Sequence, residues 1–275
     1  MKRNDSLKFI AMASMFIDHV GVLLLPHLSV LRTIGRIAYP VFAFLIAKGY
    51  KHTSSITRYR KRLFLFAIIS QLPYMFLNYS LHPEYLQFNV LFLFVYATYI
   101  LEVIDTFKKD YSQTQYLGIL AIMTVLPKLL EVSIKSFSLS YGTYGLLLVI
   151  IFYVFDSHWL KTIIAYFMLS VITTYENGAI HLATYSHILL GEQITYFQAW
   201  LMFKQVWKTI SGNGKYFYTL QGYFFQSRSM LSLILIYSYN YLPTLRMNKY
   251  VAYVFYPAHM IVLIILRIII GDIYG

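Results

Sequence analysis

The sequence predicts an all-α, polytopic transmembrane bundle of about nine to eleven spans. Three observations predict it. Of the 275 residues, 59% are hydrophobic and 12% charged, against about 25% charged in a soluble domain. Apolar runs of roughly helix-spanning length recur from one end to the other. Lys and Arg gather between alternate runs, as cytoplasmic loops require. The runs are continuous rather than alternating, which argues against a transmembrane barrel. No linker interrupts them, so residues 1–275 read as one integral-membrane domain.

A net charge of +12 suggests nucleic acid only in a soluble chain. Here the cations sit in loops, where they set topology and meet anionic lipid. No nucleic-acid partner is expected. The absence of Cys removes disulfides and thiolate chemistry. The basic N-terminus resembles a signal peptide, but no small-residue cleavage site follows. Asp18-His19 also breaks the apolar core, so this reads as a retained first span. The 27 tyrosines concentrate at span ends and in loops, as an interfacial aromatic belt does.

The first span runs from about Leu7 to Leu25, closed by Pro26. The second covers about Thr33 to Ala47, and Pro40 inside it is expected to kink the helix. KGYKHTSSITRYRKRL follows, the most basic loop. It places itself and the N-terminus in the cytoplasm, with the plasma membrane as the setting. The third span is about Leu63 to Leu77, with Gln71 and Pro73 in its outer half. The fourth, about Phe88 to Val103, opens at Asn89. The fifth is about Tyr116 to Leu130, the sixth runs from SYGTYG to Phe155, and the seventh is about Leu160 to Thr174. ENGAIHLATYSH then reads as an outside loop. Ile188 to Ser227 is amphipathic and aromatic, and in part interfacial. A short span is expected over Met230 to Tyr241, and the last over Tyr250 to Ile270.

Ionisable side chains inside such spans are costly and are therefore functional candidates. On a first-span helix, Lys8 and His19 are eleven residues apart, which puts them within about 20° of one face and about 16 Å apart along it. Met12 and Met15 lie between them. Asp18 points about 100° away, so adjacency alone does not let it orient the His19 ring. Histidine titrates near neutrality, which suits proton or acyl transfer. Arg36 opens the second span at the depth of Asp18 and is expected to pair with it, Gly35 allowing close helix approach. Lys48 at the inner end also fits a snorkelling interfacial lysine. Tyr256, Pro257 and His259 share the last span. Gln71 and Asn89 are further polar points. No histidine pair has zinc-ligand spacing, so no metal is expected. No nucleotide-binding or nucleophile-elbow motif is present.

The same ionisable set fits two functions. One is an acyltransferase with His19 at its reacting centre. The alternative is a proton-coupled transporter or flippase using Asp18, His19, Arg36 and His259 as a relay. A scaffold would leave these groups without a use.

LKFIAMASMFIDHVG and LRTIGRIAYPVFAFLIAKGYKHT, with RYRKRLFLFAIISQLPY, resemble the TraX family of membrane proteins implicated in N-terminal acetylation of conjugative pilin. SYGTYGLLLVIIFYVF and KYVAYVFYPAHMIVLIIL extend the likeness over most of the chain. A more distant likeness is to the acyltransferase-3 superfamily, through a basic residue, ten intervening residues and a histidine. The resemblance implies acetyl-CoA as co-substrate from the cytosol and an acceptor hydroxyl or amine on a protein, glycan or lipid. It also implies His19 as the catalytic histidine and Lys8 as its basic partner. Asp18 and Arg36 are assigned to tuning His19. Lys8, Lys48, Lys51, Arg58, Arg60 and Arg62 are assigned to the CoA phosphates. Tyr256, His259, Gln71 and Asn89 are expected around the pocket.

Overall fold

The computed structural model describes residues 4–79, 86–110, 112–134, 137–190, 195, 198, 224–248 and 250–274. Helix α1 (Ser6–Leu23) begins where Asn4 Oδ1 takes the Ser6 N–H at 3.0 Å. It carries no Gly or Pro before Gly21, and Pro26 follows its end. Helices α2 (Ser29–Gly35) and α3 (Ala38–His52) form an interrupted pair. The break lies at Arg36-Ile37, where Ile37 N–H bonds the Ile34 carbonyl at 3.2 Å. The expected kink at Pro40 is therefore corrected. Pro40 occupies the first turn of α3, where the missing N–H has no helical acceptor to lose.

Helix α4 (Ile56–Tyr79) is longer than the apolar run, and Pro73 lies inside it. Asn89 Oδ1 accepts the Leu91 N–H at 3.0 Å and so starts α5 (Val90–Asp110). A Ser112–Gln115 capping box starts α6 (Gln113–Ser133). α7 covers Gly142–Val154. Two short parallel strands, β1 (Leu86–Phe88) and β2 (Phe137–Leu139), join the α4–α5 and α6–α7 connections with Gln87 opposite Ser138. Strands of three residues carry no readable alternation, so the pairing was invisible in the pattern.

Helix α8 (Trp159–Leu190) continues sixteen residues past Thr174, so the outside loop expected at ENGAIHLATYSH is helical instead. The expected interfacial stretch from Ile188 to Ser227 falls almost wholly outside the described residues. The span expected over Met230 to Tyr241 is also corrected. A 3₁₀ stretch (Phe224–Leu231) leads into α9 (Ser232–Tyr237), whose six residues rise only about 9 Å. α10 covers Val251–Tyr274 and packs on α4 and α1.

Among the described residues, Ser6–Leu23, Ser29–His52 and Val251–Ile270 are long and apolar enough to cross a membrane. Much of their surface, and of α4, α6 and α8, is exposed Leu, Ile, Val and Phe. Lipid contact accounts for an apolar exterior of that extent.

The N-terminal segment fixes the helix that matters most for the site. Asp5 N–H bonds the Leu245 carbonyl at 2.9 Å, and Met247 N–H donates to Asp5 Oδ2 at 3.0 Å. Leu245 N–H donates to Asn4 Oδ1 and Tyr239 Oη to the Asn4 carbonyl. These bonds bring the starts of α1 and α10 to one end of the molecule, so the two helices run in the same direction.

Candidate functional site

Three neighbouring helices order their polar side chains along the same axis. α1 carries Lys8 at one end and Asp18-His19 toward the other. α3 runs from Tyr39 to Lys48, and α4 from Arg62 to Tyr74 and Asn78. Two cavities follow that order. The first, of about 610 Å³, is lined by Lys8, Lys48, Arg62, His52 and Asp156, with largely apolar walls between them. The second, of about 500 Å³, is lined by Asp18, His19, Arg32, Arg36, Tyr39, Tyr74, Asn78, Gln87 and Tyr141. Met15, Phe42, Val90, Phe94 and Tyr256 line both, so the cavities abut along a shared wall.

His19 lines the second cavity, and its ring partner comes from a helix 240 residues further along the chain. His19 Nδ1 lies 2.7 Å from His259 Nε2, the two rings within 4° of parallel. His259 Nδ1 lies 2.8 Å from the Phe255 carbonyl, one turn back on α10. A carbonyl only accepts, so His259 Nδ1 carries the hydrogen. With both rings neutral, His259 Nε2 is then an acceptor and His19 Nδ1 its donor. That leaves His19 Nε2 unprotonated, a base or nucleophile. His259 is 4% exposed and stacks on Phe255.

Arg32 joins the expected Arg36 beside Asp18. Asp18 Oδ1 makes its salt bridge with Arg32 Nε at 3.3 Å. Arg36 still lines the same cavity and acts on Asp18 through its charge. The ring of His19 is thus oriented by His259.

Gly35 performs its expected role. A Cβ there would collide with the Asp18 side chain, and one at Gly21 would stand 2.8 Å from Leu31 Cβ. Gly35→Val is expected to destabilise the fold by about 1–3 kcal/mol through overpacking. The check is the midpoint of thermal unfolding in detergent, with Gly118→Val, which meets nothing within 4 Å, as the control.

Among the cations assigned to CoA, Lys8, Lys48 and Arg62 line the first cavity. Lys8 also pairs with the buried Asp5 at 2.9 Å. Arg60 is corrected to a structural role. It bridges Glu102 at 2.7 Å, donates twice to Thr98 and lies 3.9 Å over the Tyr99 ring, joining α4 to α5. Arg58, exposed at the start of α4, and Lys51 line neither cavity. Lys51 and Lys48 share Asp156, at 3.2 and 2.8 Å.

Gln71 and Asn89 are corrected too. Gln71 Oε1 accepts from Asn89 Nδ2 and its N–H, and Gln71 Nε2 donates to the Gln87 carbonyl. Both serve the α4–α5 join, and neither lines either cavity. Gln87 and Asn78 reach the second cavity in their place. Tyr256 lines both cavities, as expected of a pocket residue.

Sequence reasoning assigned no role to Tyr39. It is 3% exposed, stacks on Tyr141 with ring centroids 3.7 Å apart, and its hydroxyl has no hydrogen-bond partner among the described residues. Tyr141 itself holds φ at +64°, a left-handed conformation that costs a non-glycine residue of order 1–2 kcal/mol. The small residues of GRIAYP and SYGTYG were the available signal. A Cβ on Gly145 would collide with the Tyr39 hydroxyl.

Burial alone raises the Asp156 carboxyl, but hydrogen bonds and charge from Lys48 and Lys51 outweigh it and hold its pKa below the ordinary 3.8. A depressed folded-state value stabilises above the unfolded pKa and loses that stabilisation as pH falls through the folded one. The thermal midpoint is therefore expected to drop as pH is lowered below about 4. Asp156→Asn should remove that component, which comparison of the two pH–stability curves reads directly.

Apolar helices, exposed aliphatic faces and a polar interior built on an intramembrane histidine pair define an all-α integral membrane protein. The family model described as TraX protein matches residues 3–267, and the chain belongs to the TraX family. It is also 40% identical over 68 residues to an uncharacterized protein, RP591, of Rickettsia prowazekii (strain Madrid E). That match covers 25% of this chain and 25% of the relative's length. No solved structure matches the chain.

Proposed function

We propose that the chain is a multi-pass acyltransferase of the plasma membrane. Its N-terminus is cytoplasmic, and it moves an acetyl group from cytosolic acetyl-CoA to an acceptor in or across the bilayer. One observation carries the reading. His19, whose Nε2 is unprotonated when the histidine pair is neutral, lines a polar cavity that shares a wall with a largely apolar cavity bearing Lys8, Lys48 and Arg62.

Lys8, Lys48 and Arg62 form a rim suited to phosphate groups. The apolar walls beyond them fit a thioester arm, and the distance from Lys8 to His19 along α1 is about 16 Å. At the junction, His19 Nε2 accepts the acceptor's proton as its heteroatom bonds the acyl carbon. The carbon–sulfur bond breaks, and the departing thiolate takes that proton back from His19. Imidazolium formed in this way keeps its Nδ1–H bond to His259. Arg32 and Arg36 favour the oxyanion of the tetrahedral intermediate. A shielded junction also limits hydrolysis of the thioester.

The test is transfer of labelled acetyl from acetyl-CoA by purified protein. Binding of acetyl-CoA that weakens in Lys48→Gln and Arg62→Gln supports the rim. The hydrogen-bonded histidine pair is also the unit a proton-coupled transporter needs. Uptake driven by a pH gradient in proteoliposomes, with no acetyl-CoA binding, favours that second reading.

A further inference from the structure

We propose that the end of α3 carries a subsite for a phosphate monoester between Lys48 and Lys51, and that the Asp156 carboxylate is its resident occupant. The inference rests on the acyltransferase reading and concerns one end of the donor, whose nucleotide bears such a group.

Geometry is the first support. Lys48 and Lys51 are three residues apart near the end of α3, so their side chains share one face. Asp156 divides its oxygens between them, Oδ1 lying 2.8 Å from Lys48 Nζ and Oδ2 3.2 Å from Lys51 Nζ. One oxygen per ammonium is an arrangement that two oxygens of a phosphate can equally make. Asp156 and Lys48 also line the first cavity, so the clasped carboxylate stands in its wall.

Charge is the second. Among the described residues, Asp156 is the carboxylate within ion-pair distance of either lysine. One negative charge therefore serves two positive ones. A phosphate monoester carries about −1.5 to −2 at neutral pH and matches the pair. A phosphodiester carries a single charge, as the carboxylate does, and would gain little by displacing it.

The third support is what remains when the carboxylate leaves. Lys48 Nζ lies 5.6 Å from the centroid of the Phe44 ring, and Lys51 Nζ 4.7 Å from that of Tyr153. Aromatic faces attract cations, so both ammoniums keep a support without Asp156. The turn after α7 that holds Asp156 is closed by the His158 N–H, which donates to the Phe155 carbonyl at 2.7 Å. Thr162 Oγ1 donates to the same carbonyl at 3.1 Å. Neither bond uses the Asp156 side chain, so its departure leaves the turn closed. Donor binding is then an exchange of one anion for another on a standing pair of cations. Lys51, which lines neither cavity, becomes a donor contact.

The monoester has two sources, the ribose phosphate of acyl-CoA or phosphatidic acid. Calorimetry on the purified full chain in phosphatidylcholine nanodiscs compares acetyl-CoA with acetyl-dephospho-CoA, which lacks only that phosphate. Wild type is expected to bind acetyl-CoA roughly tenfold more tightly, and Lys51→Gln should erase the difference. Asp156→Asn should tighten acetyl-CoA by about threefold and leave the dephospho form unchanged. Asp156→Glu, which keeps the competing anion, should match wild type. If phosphatidic acid is the source, a fluorescent analogue of it shows the Asp156→Asn gain instead, and the two CoA forms bind alike. A folded Asp156→Asn chain that gains for neither ligand overturns the proposal, as does one that binds acetyl-CoA more weakly. Lys51→Gln with either preference intact overturns it too. Acetyl transfer by a wild type that shows neither preference removes the subsite and leaves the acyltransferase reading standing. The expected binding pattern without transfer to any acceptor does the reverse.

Discussion

His19→Ala is expected to lower acetyl transfer by about 10²–10⁴-fold, the usual contribution of a positioned general base. The affinity for acetyl-CoA should remain, because His19 lines the second cavity rather than the first. Separation of the two effects matters. A variant that lost binding and turnover together would have lost its fold, and one that kept full turnover would remove histidine from the chemistry. His19→Gln sharpens the test. An amide in this place can hydrogen-bond to His259 but cannot take a proton at neutral pH, so it should resemble alanine in rate and wild type in stability. Single-turnover measurement with labelled acetyl-CoA reads the chemical step without product release.

His259→Ala is expected to cost about 10²-fold in kcat, with the KM for acetyl-CoA unchanged. The loss arises from freeing the His19 ring, since small misplacements of a reacting group cost rate factors of that order. His259→Gln separates positioning from proton relay. A glutamine carbonyl oxygen in place of Nε2 accepts from His19 Nδ1–H and holds the same tautomer, so a positioning role predicts substantial recovery. Failure of glutamine to recover anything beyond alanine, in a variant of normal stability, would assign His259 to carrying the proton instead.

Much of the helical layout was legible because it follows from long apolar runs with clear punctuation. Ser6–Leu23 and Val251–Tyr274 lie close to the runs that announce them. Lys8 and His19 face one axis because eleven residues make just over three turns. Gly35 was legible from its size beside a buried charge. The partners of the ionisable groups were harder. His19 and His259 are 240 residues apart, and no periodicity reports a contact between separate helices. The ion pair of Arg32 with Asp18 depends on how α2 packs against α1, which no single-helix pattern reports. Arg60 looks like any basic loop residue until α5 supplies Glu102 and Thr98. The span expected over Met230 to Tyr241 overran α9 because Met230-Leu231 and Tyr239–Tyr241 are 3₁₀ rather than α-helical, a difference that side-chain hydrophobicity does not report.

The clamp of Asn4 and Asp5 on Leu245 and Met247 has a bearing on biogenesis. The ribosome delivers His19 early and His259 some 240 residues later, so the reactive pair cannot form until the last helix has entered the bilayer and docked beside the first. On the acyltransferase reading, a chain whose α10 has not yet docked has nothing to hold the His19 ring, so the clamp of Asn4 and Asp5 on Leu245 and Met247 belongs to the step that completes the site.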